Sequence, residues 1–234
     1  MEPRTDRAPV PRAALRTPRD LAPFIDHTLL KPDAGAADIH RLCGEAREHR
    51  FATVCVRPEW VELAAQLVRG SSVKAIAVVD FPLGAGSPQR RVEETRRVVA
   101  AGAAEVDVVL LVTQLHARAY RIVLEDLEAV VRAAGVPVKV IIEAGALSNA
   151  EKVAACTLAK TAGAAWVKTS TGFGKGGATA QDVALMREVV GHELGVKASG
   201  GIRTAADALR MMEAGASRVG ASASVAIVTA SSFA

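Results

Sequence analysis

Residues 87–111 read SPQRRVEETRRVVAAGAAEVDVVLL. Ser87 stands as a cap in front of Pro88, which suits the first position of a helix. Helical spacing then runs to about residue 101, Gly102 supplies the positive φ that a helix end needs, and the β-branched run EVDVVLL follows at 105–111. One capped helix therefore feeds one apolar strand.

The same unit recurs from about Asp20 onward. Short β-branched runs begin near Phe24, Phe51, Val73, Glu105, Val138, Trp166, Gly195 and Arg218. Between them, helical spacing spans 35–49, 58–69, 87–101, 113–134, 149–162, 179–191 and 204–214, and Gly135, Gly163 and Gly215 repeat the punctuation of Gly102. Strands that alternate with helices form a parallel sheet, because each crossover helix must cover it. Eight such units in roughly 210 residues point to a single α/β domain, a (β/α)8 TIM barrel, which typically takes ~250. The rival is a doubly wound open sheet, but that fold usually opens on a GxGxxG turn after its first strand, and none stands there. The barrel is expected over 19–234, behind an Arg- and Pro-containing tail, 1–18, expected to be disordered.

Half of the residues are hydrophobic but only 3% are aromatic, so the core must be built from Ala, Val, Leu and Ile. The formal charge of +4 is concentrated at one end: residues 1–19 carry five arginines against Glu2 and Asp6. With no basic block beyond that tail, nucleic-acid binding is not expected. Cys43, Cys55 and Cys156 are widely spaced and form no CxxC, which fits reduced thiols in a cytoplasmic protein better than disulfides or a zinc site. No uncharged stretch approaches the ~20 residues of a membrane span. His40, His49, His116 and His192 fall in helical segments without metal-ligand spacing, so no metal is expected.

Side chains alternate faces along a strand. If Lys168 points into the barrel, so do Trp166 and Ser170, while Val167 and Thr169 face the helices. Lys197 stands in the middle of GVKASGG (195–201), and Asp107 lies between two valines. Lys139 and Glu143 share one face of VKVIIEAG (138–145) and read as polar fill; Asp26 and Thr28 share one face of FIDHTLL (24–30), with His27 opposite. Taken singly, each of these charges reads as an ion pair or a solvated strand end. Two lysines on consecutive strands, with an aspartate two strands away, suggest more. Neighbouring ammonium groups in a poorly solvated site depress each other's charging. A lysine ordinarily titrates near ~10.4, and desolvation beside a second cation is how an enzyme obtains a free amine for Schiff-base formation.

Three consecutive strand ends carry small and hydroxyl residues: Ser170-Thr171-Gly172 running into GFGKGGAT, then Ser199-Gly200-Gly201, then Gly220-Ala221-Ser222. Glycines allow close backbone approach and turn N–H groups toward an anion. In barrels, the loops after the seventh and eighth strands commonly hold a phosphate. A phosphorylated small-molecule substrate is the expected partner.

The stretches IDHTLLKPDA (25–34), VCVRPEWV (54–61), FPLGAG (81–86), EVDVV (105–109), VKVIIE (138–143), VKTSTGFGKGGAT (167–179), VKASGGIRT (196–204) and RVGAS (218–222) together resemble the deoxyribose-phosphate aldolase family of class I aldolases, from about Leu21 to Val228. The resemblance implies cleavage of 2-deoxy-D-ribose 5-phosphate to D-glyceraldehyde 3-phosphate and acetaldehyde, with Lys168 as the Schiff-base residue, Lys197 as its electrostatic partner and Asp107 in proton transfer. It implies that Asp26, Thr28 and Thr171 surround substrate hydroxyls and that Gly172, Gly200, Gly201, Gly220 and Ser222 cradle the phosphate. It further implies a homodimer and no metal or organic cofactor. Another Schiff-base lyase acting on a phosphorylated sugar or keto acid, and a non-catalytic phosphosugar-binding barrel, are the alternatives. The chain departs from the family pattern at Asp80, Leu111, Ala144 and Ala223, where Gly, Asn, Thr and Ser are usual.

Overall fold

The computed structural model describes residues 7–233. Eight parallel strands close into a barrel in sequence order. The succession is β1 (Ile25–Leu29), α1 (Ala36–His49), β2 (Thr53–Val56), α2 (Val61–Val68), β3 (Lys74–Val79), α3 (Pro88–Ala100), β4 (Glu105–Val109), α4 (Val112–His116), α5 (Tyr120–Ala134), β5 (Val138–Ile141), α6 (Asn149–Thr161), β6 (Trp166–Lys168), α7 (Ala180–Val190), β7 (Gly195–Ser199), α8 (Ala205–Glu213), β8 (Arg218–Ala221) and α9 (Ser224–Thr229). The open-sheet alternative is thereby removed.

Local chemistry starts the helices where expected. Ser87 accepts the Arg90 N–H ahead of Pro88, and Ser148, Thr179 and Thr204 cap α6, α7 and α8 through the N–H groups of Glu151, Asp182 and Asp207. The segment 113–134, expected as one helix, is two. Arg118 adopts a left-handed backbone, φ 56°, between α4 and α5. No Gly or Pro marks the break, so only packing of the two helices reveals it.

Outward-facing strand residues, among them Val54, Val56, Val106, Val108, Val140, Val167 and Val196, join helix residues in one continuous apolar layer. β-branched residues suit a surface buried on both sides. The interior of the barrel is different. Leu30, Cys55, Ile76 and Val78, with Phe81 against them, line it on the β1–β3 side, and charged side chains fill the rest.

Two further features depart from expectation. The tail assigned to disorder lies against the barrel from Arg7 onward, while residues 1–6 lie outside the described residues. Leu15 and Val10 are buried, and Arg187 donates to the Arg7 carbonyl at 3.2 Å. Hydrophobes scattered among arginines carry no periodicity, and only a surface already formed can receive them. At the end of β3, Asp80 occupies a left-handed conformation, φ 52°, that Asp tolerates better than most residues. Its carboxylate accepts the Gly86 N–H at 3.0 Å and pairs with the fully buried Arg91, which also reaches Asp126 at 2.9 Å and the Val109 carbonyl at 2.8 Å. The FPLGAG loop is thus tied to α3, α5 and the end of β4.

Trp166 fills the floor of the barrel because its partner across the β6–β7 pair is Gly195. A Cβ on Gly195 would stand 2.0 Å from an indole carbon. Gly195→Ala is therefore expected to destabilise the fold by about 1–3 kcal/mol or more, the range for overpacking a core, read as a lowered urea midpoint with an unchanged slope.

Candidate active site

The register brings the expected charges to one level. Lys168 and Lys197 are Cα partners across β6 and β7, and Asp107 and Lys139 are partners across β4 and β5. Asp107 Oδ2 accepts from Lys168 at 3.0 Å and from Lys197 at 2.7 Å, while Oδ1 accepts from Lys139 at 3.0 Å. One carboxylate thus serves three lysines. Lys197 has a second carboxylate in Asp26, at 2.5 Å, and Lys139 has one in Glu105, also at 2.5 Å. Among the described residues Lys168 has only its share of Asp107.

That difference decides which amine is free. Burial pushes Lys168 below the ordinary lysine value, the neighbouring Lys197 adds to the effect, and Asp107 only partly opposes it. Burial acts on Lys197 in the same direction, but Asp107 and Asp26 together override it and hold Lys197 above the ordinary value. Lys139 is likewise raised, since Asp107 and Glu105 outweigh its burial. Asp107, although buried, is held well below the usual carboxylate range by its three lysines. The expectation that the two lysines depress each other therefore holds for one direction only. Lys197 stays charged and Lys168 bears the cost.

The arrangement also relocates several residues. Lys139 pairs with Glu105 and Asp107, not with Glu143, which turns away beyond β5 and accepts the Thr171 N–H. Asp26 is fully buried and held by Lys197 and by Arg218 at 2.9 Å, so its contacts within the protein are counter-ions. Thr28 and Thr171 line the cleft above Lys168. Gly220 has a second purpose: a Cβ there would come within 2.9 Å of Lys197 Cε. Glu105 and Arg218 escaped the sequence reading because they stand at the first residues of their strands, where a charge ordinarily meets water. Arg218, its guanidinium 4.9 Å from the centre of the Trp166 ring, shows instead that this end is closed.

Lys168, only 2% exposed, lies at the base of a cleft of about 310 Å³ at the carboxyl ends of the strands. The far wall comprises Thr171, Gly172, Ser199, Gly200, Gly201, Gly220 and Ser222. Gly172, Gly200 and Gly201 have φ of 86°, 92° and 77°, open to glycine and strained for other residues. The backbone N–H groups of Gly172, Gly200, Gly201 and Ser222 donate to no described residue. Four free amides around one recess have the chemistry to receive an anion. Lys31 and Arg203 stand at its rim. Cys55 lies in the apolar interior, where burial pushes its thiol upward and leaves it unreactive. Among the described residues no cluster of three or more His, Cys, Asp or Glu could hold a metal ion, and no helix is long and apolar enough to cross a membrane.

Removing the Lys197 cation would let Lys168 take the whole of Asp107 Oδ2 and hold its proton more tightly. The free amine, present only above the Lys168 pKa, would then appear at higher pH. In Lys197→Met, reductive alkylation of Lys168 by a small aldehyde and cyanoborohydride, followed against pH by peptide mass spectrometry, should show its midpoint displaced upward. An unmoved midpoint would remove Lys197 from the control of Lys168.

The chain matches the DeoC/LacD family aldolase profile over residues 21–228. It is similar to the deoxyribose-phosphate aldolase of Halalkalibacterium halodurans, at 54% identity over 213 residues covering 90% of this chain and 95% of that protein. That of Clostridium perfringens is 53% identical over 211 residues, 89% and 94% of the two chains. Among solved structures, the tetrameric deoxyribose phosphate aldolase of Aeropyrum pernix superposes with a TM-score of 0.86 at 33% identity, covering 92% of each chain. A desolvated lysine at the floor of a barrel cleft and a profile match along almost all of the barrel lead to one conclusion: the chain belongs to the DeoC/LacD family of aldolases.

Proposed function

We propose that this protein is a deoxyribose-phosphate aldolase, reversibly cleaving 2-deoxy-D-ribose 5-phosphate to D-glyceraldehyde 3-phosphate and acetaldehyde. The observation that carries the reading is the pairing inequality inside the barrel: Lys197 and Lys139 each own a second carboxylate, and Lys168, open to the cleft, does not.

In the proposed reaction the unprotonated Lys168 Nζ attacks C1 of the open-chain sugar. Loss of water from the carbinolamine leaves an iminium. The C2–C3 bonding pair moves into the iminium, giving an enamine on Lys168, while the C3 hydroxyl gives up its proton and becomes the aldehyde of glyceraldehyde 3-phosphate. A proton then returns to C2, and water releases acetaldehyde. Asp107 Oδ2, in reach of both Lys168 and Lys197, is assigned the proton transfers through an intervening water. Its low proton affinity makes it a conduit and not a store: Lys139 and Lys197 keep it ionised between turns. The lysine is the electron sink, so the chemistry requires no cofactor. The phosphate is assigned to the four free amides, with Ser222 and Thr171 supplying hydroxyls and Lys31 and Arg203 favourable charge.

The two alternatives fit less well. A barrel that only binds a phosphosugar has no use for a lysine kept short of counter-charge. Another Schiff-base lyase, on a phosphorylated sugar or a keto acid, would share that lysine, and the relatives at 53–54% identity favour deoxyribose 5-phosphate over it. The three buried free thiols, Cys43, Cys55 and Cys156, support placing the enzyme in the cytoplasm. A homodimer is proposed on the resemblance alone; the Aeropyrum pernix relative is a tetramer.

Acetaldehyde with borohydride should add about 28 Da, one ethyl group, to Lys168. Lys168→Ala should abolish both this adduct and the formation of glyceraldehyde 3-phosphate from deoxyribose 5-phosphate, with the circular dichroism spectrum unchanged. An adduct mainly on Lys197 or Lys139, or wild-type protein inert toward deoxyribose 5-phosphate, would overturn the reading.

A further inference from the structure

Glu143 has no part in the proposed chemistry and does not line the cleft, yet it occupies a position that costs the chain. It follows β5 in a left-handed backbone, φ 53°, uncommon for a residue with a Cβ. Its carboxylate lies behind the loop 171–176 that joins β6 to α7. One oxygen accepts the Thr171 N–H at 3.1 Å. The other, Oε1, is buried and accepts no hydrogen bond. Gly174 runs so close that a Cβ there would stand 2.9 Å from this oxygen. The two turns also meet through their backbones. Ala144 N–H donates to the Thr169 carbonyl at 2.8 Å, and a Cβ on Gly145 would fall 2.2 Å from the Lys175 carbonyl oxygen.

The consequence is felt on the other side of the loop. Thr171 N–H is drawn backward to Glu143, and Phe173 N–H donates to Thr171 Oγ1 at 3.1 Å. Between these two engaged amides, the Gly172 N–H is left without a protein acceptor, at a residue that lines the cleft. The Thr171 hydroxyl, its oxygen already accepting, keeps its hydrogen to donate. We propose that Glu143 is a positioning residue whose carboxylate clamps the back of the 171–176 loop, so that Gly172 N–H and the Thr171 hydroxyl are presented to the phosphate end of the substrate. The proposal rests on the reading of this cleft as a phosphosugar site. A carboxylate close behind an anion site works against the anion by Coulomb repulsion. Its contribution is therefore one of geometry, an acceptor on a short tether from β5, and a neutral acceptor of the same shape should serve as well or better.

The test compares Glu143→Ala, Glu143→Gln and Gly174→Ala with the wild type in three measurements: the Kd for inorganic phosphate, KM and kcat for deoxyribose 5-phosphate and for deoxyribose, and borohydride trapping of acetaldehyde on Lys168. Glu143→Ala should weaken phosphate binding and raise KM for the phosphosugar about tenfold, as for loss of one hydrogen bond to a charged group. Its kcat should stay within about twofold, and trapping and the reaction of deoxyribose should be unchanged. Glu143→Gln should restore phosphate affinity to the wild-type level or better. Gly174→Ala presses a methyl group on Oε1 and should reproduce the phosphate defect with Glu143 intact, which keeps the test open if Glu143→Ala does not fold. Equal losses with both sugars, impaired trapping, or wild-type phosphate affinity in both alanine variants would overturn the clamp. So would a wild-type protein that does not bind phosphate. Phosphate binding without cleavage of deoxyribose 5-phosphate would instead overturn the proposed function and leave the clamp to be judged by the phosphate Kd alone.

Discussion

The carboxylate of Asp107 is the contact on which the interior of this barrel depends. Three lysines from three different strands converge on its two oxygens, all of them buried. An ammonium group withdrawn from water is costly, and only a well-placed carboxylate offsets that cost. Asp107 cannot satisfy three cations equally. Asp26 and Glu105 make up the difference for Lys197 and Lys139, and Lys168 is left as the group most easily relieved of its proton. The electrostatics of the site therefore follow from a shortage of acceptors, distributed unequally by the strand register.

The two sides of the cleft divide the remaining work. On the β1–β3 side the interior is apolar, with Leu30, Cys55, Ile76 and Val78 keeping water from the lysine and strengthening every interaction around it. On the β6–β8 side, glycines at positive φ leave amides free and unable to pair with their own chain. Such loops are poor for stability and good for binding an anion. The ties that hold them come from neighbouring elements: Glu143 behind the β6 loop, and Gly200 O accepting the Ala178 N–H at 3.0 Å.

The positions where the chain departs from the family pattern have different physical weights. Asp80 stands at a left-handed backbone where glycine would be relaxed, and it offsets the strain by tying Gly86 and Arg91 into one buried cluster with Asp126. Ala223 immediately precedes α9 and follows Ser222, which lines the cleft, so Ser222 supplies the hydroxyl that this loop offers to the recess. Leu111 is buried at the start of α4, and nothing in the structure explains its replacement of a polar residue.

The order of the strands, the starts of the helices other than α5 and α9, and the inward face of Lys168, Lys197 and Asp107 were legible in the amino-acid sequence. Caps, breakers and a period of two are local properties, and eight local units leave few topologies open. Partnership across the barrel was not legible. Alternation says which face a side chain takes, but not how far it reaches or whom it meets, because that depends on how the strands tilt and stagger when the sheet closes. Glu105 and Arg218, at strand starts, drew no notice as charges, and closure buried them. Lys139 and Glu143 read as companions two turns of the pleat apart, and closure sent one down to Asp107 and the other out to Thr171. The break at Arg118 and the docking of residues 7–18 likewise needed a surface that no segment carries alone. The chemistry-bearing residues could be named from sequence because their types are rare inside a strand; which of three lysines loses its proton is set by distances that exist only once the ring is closed.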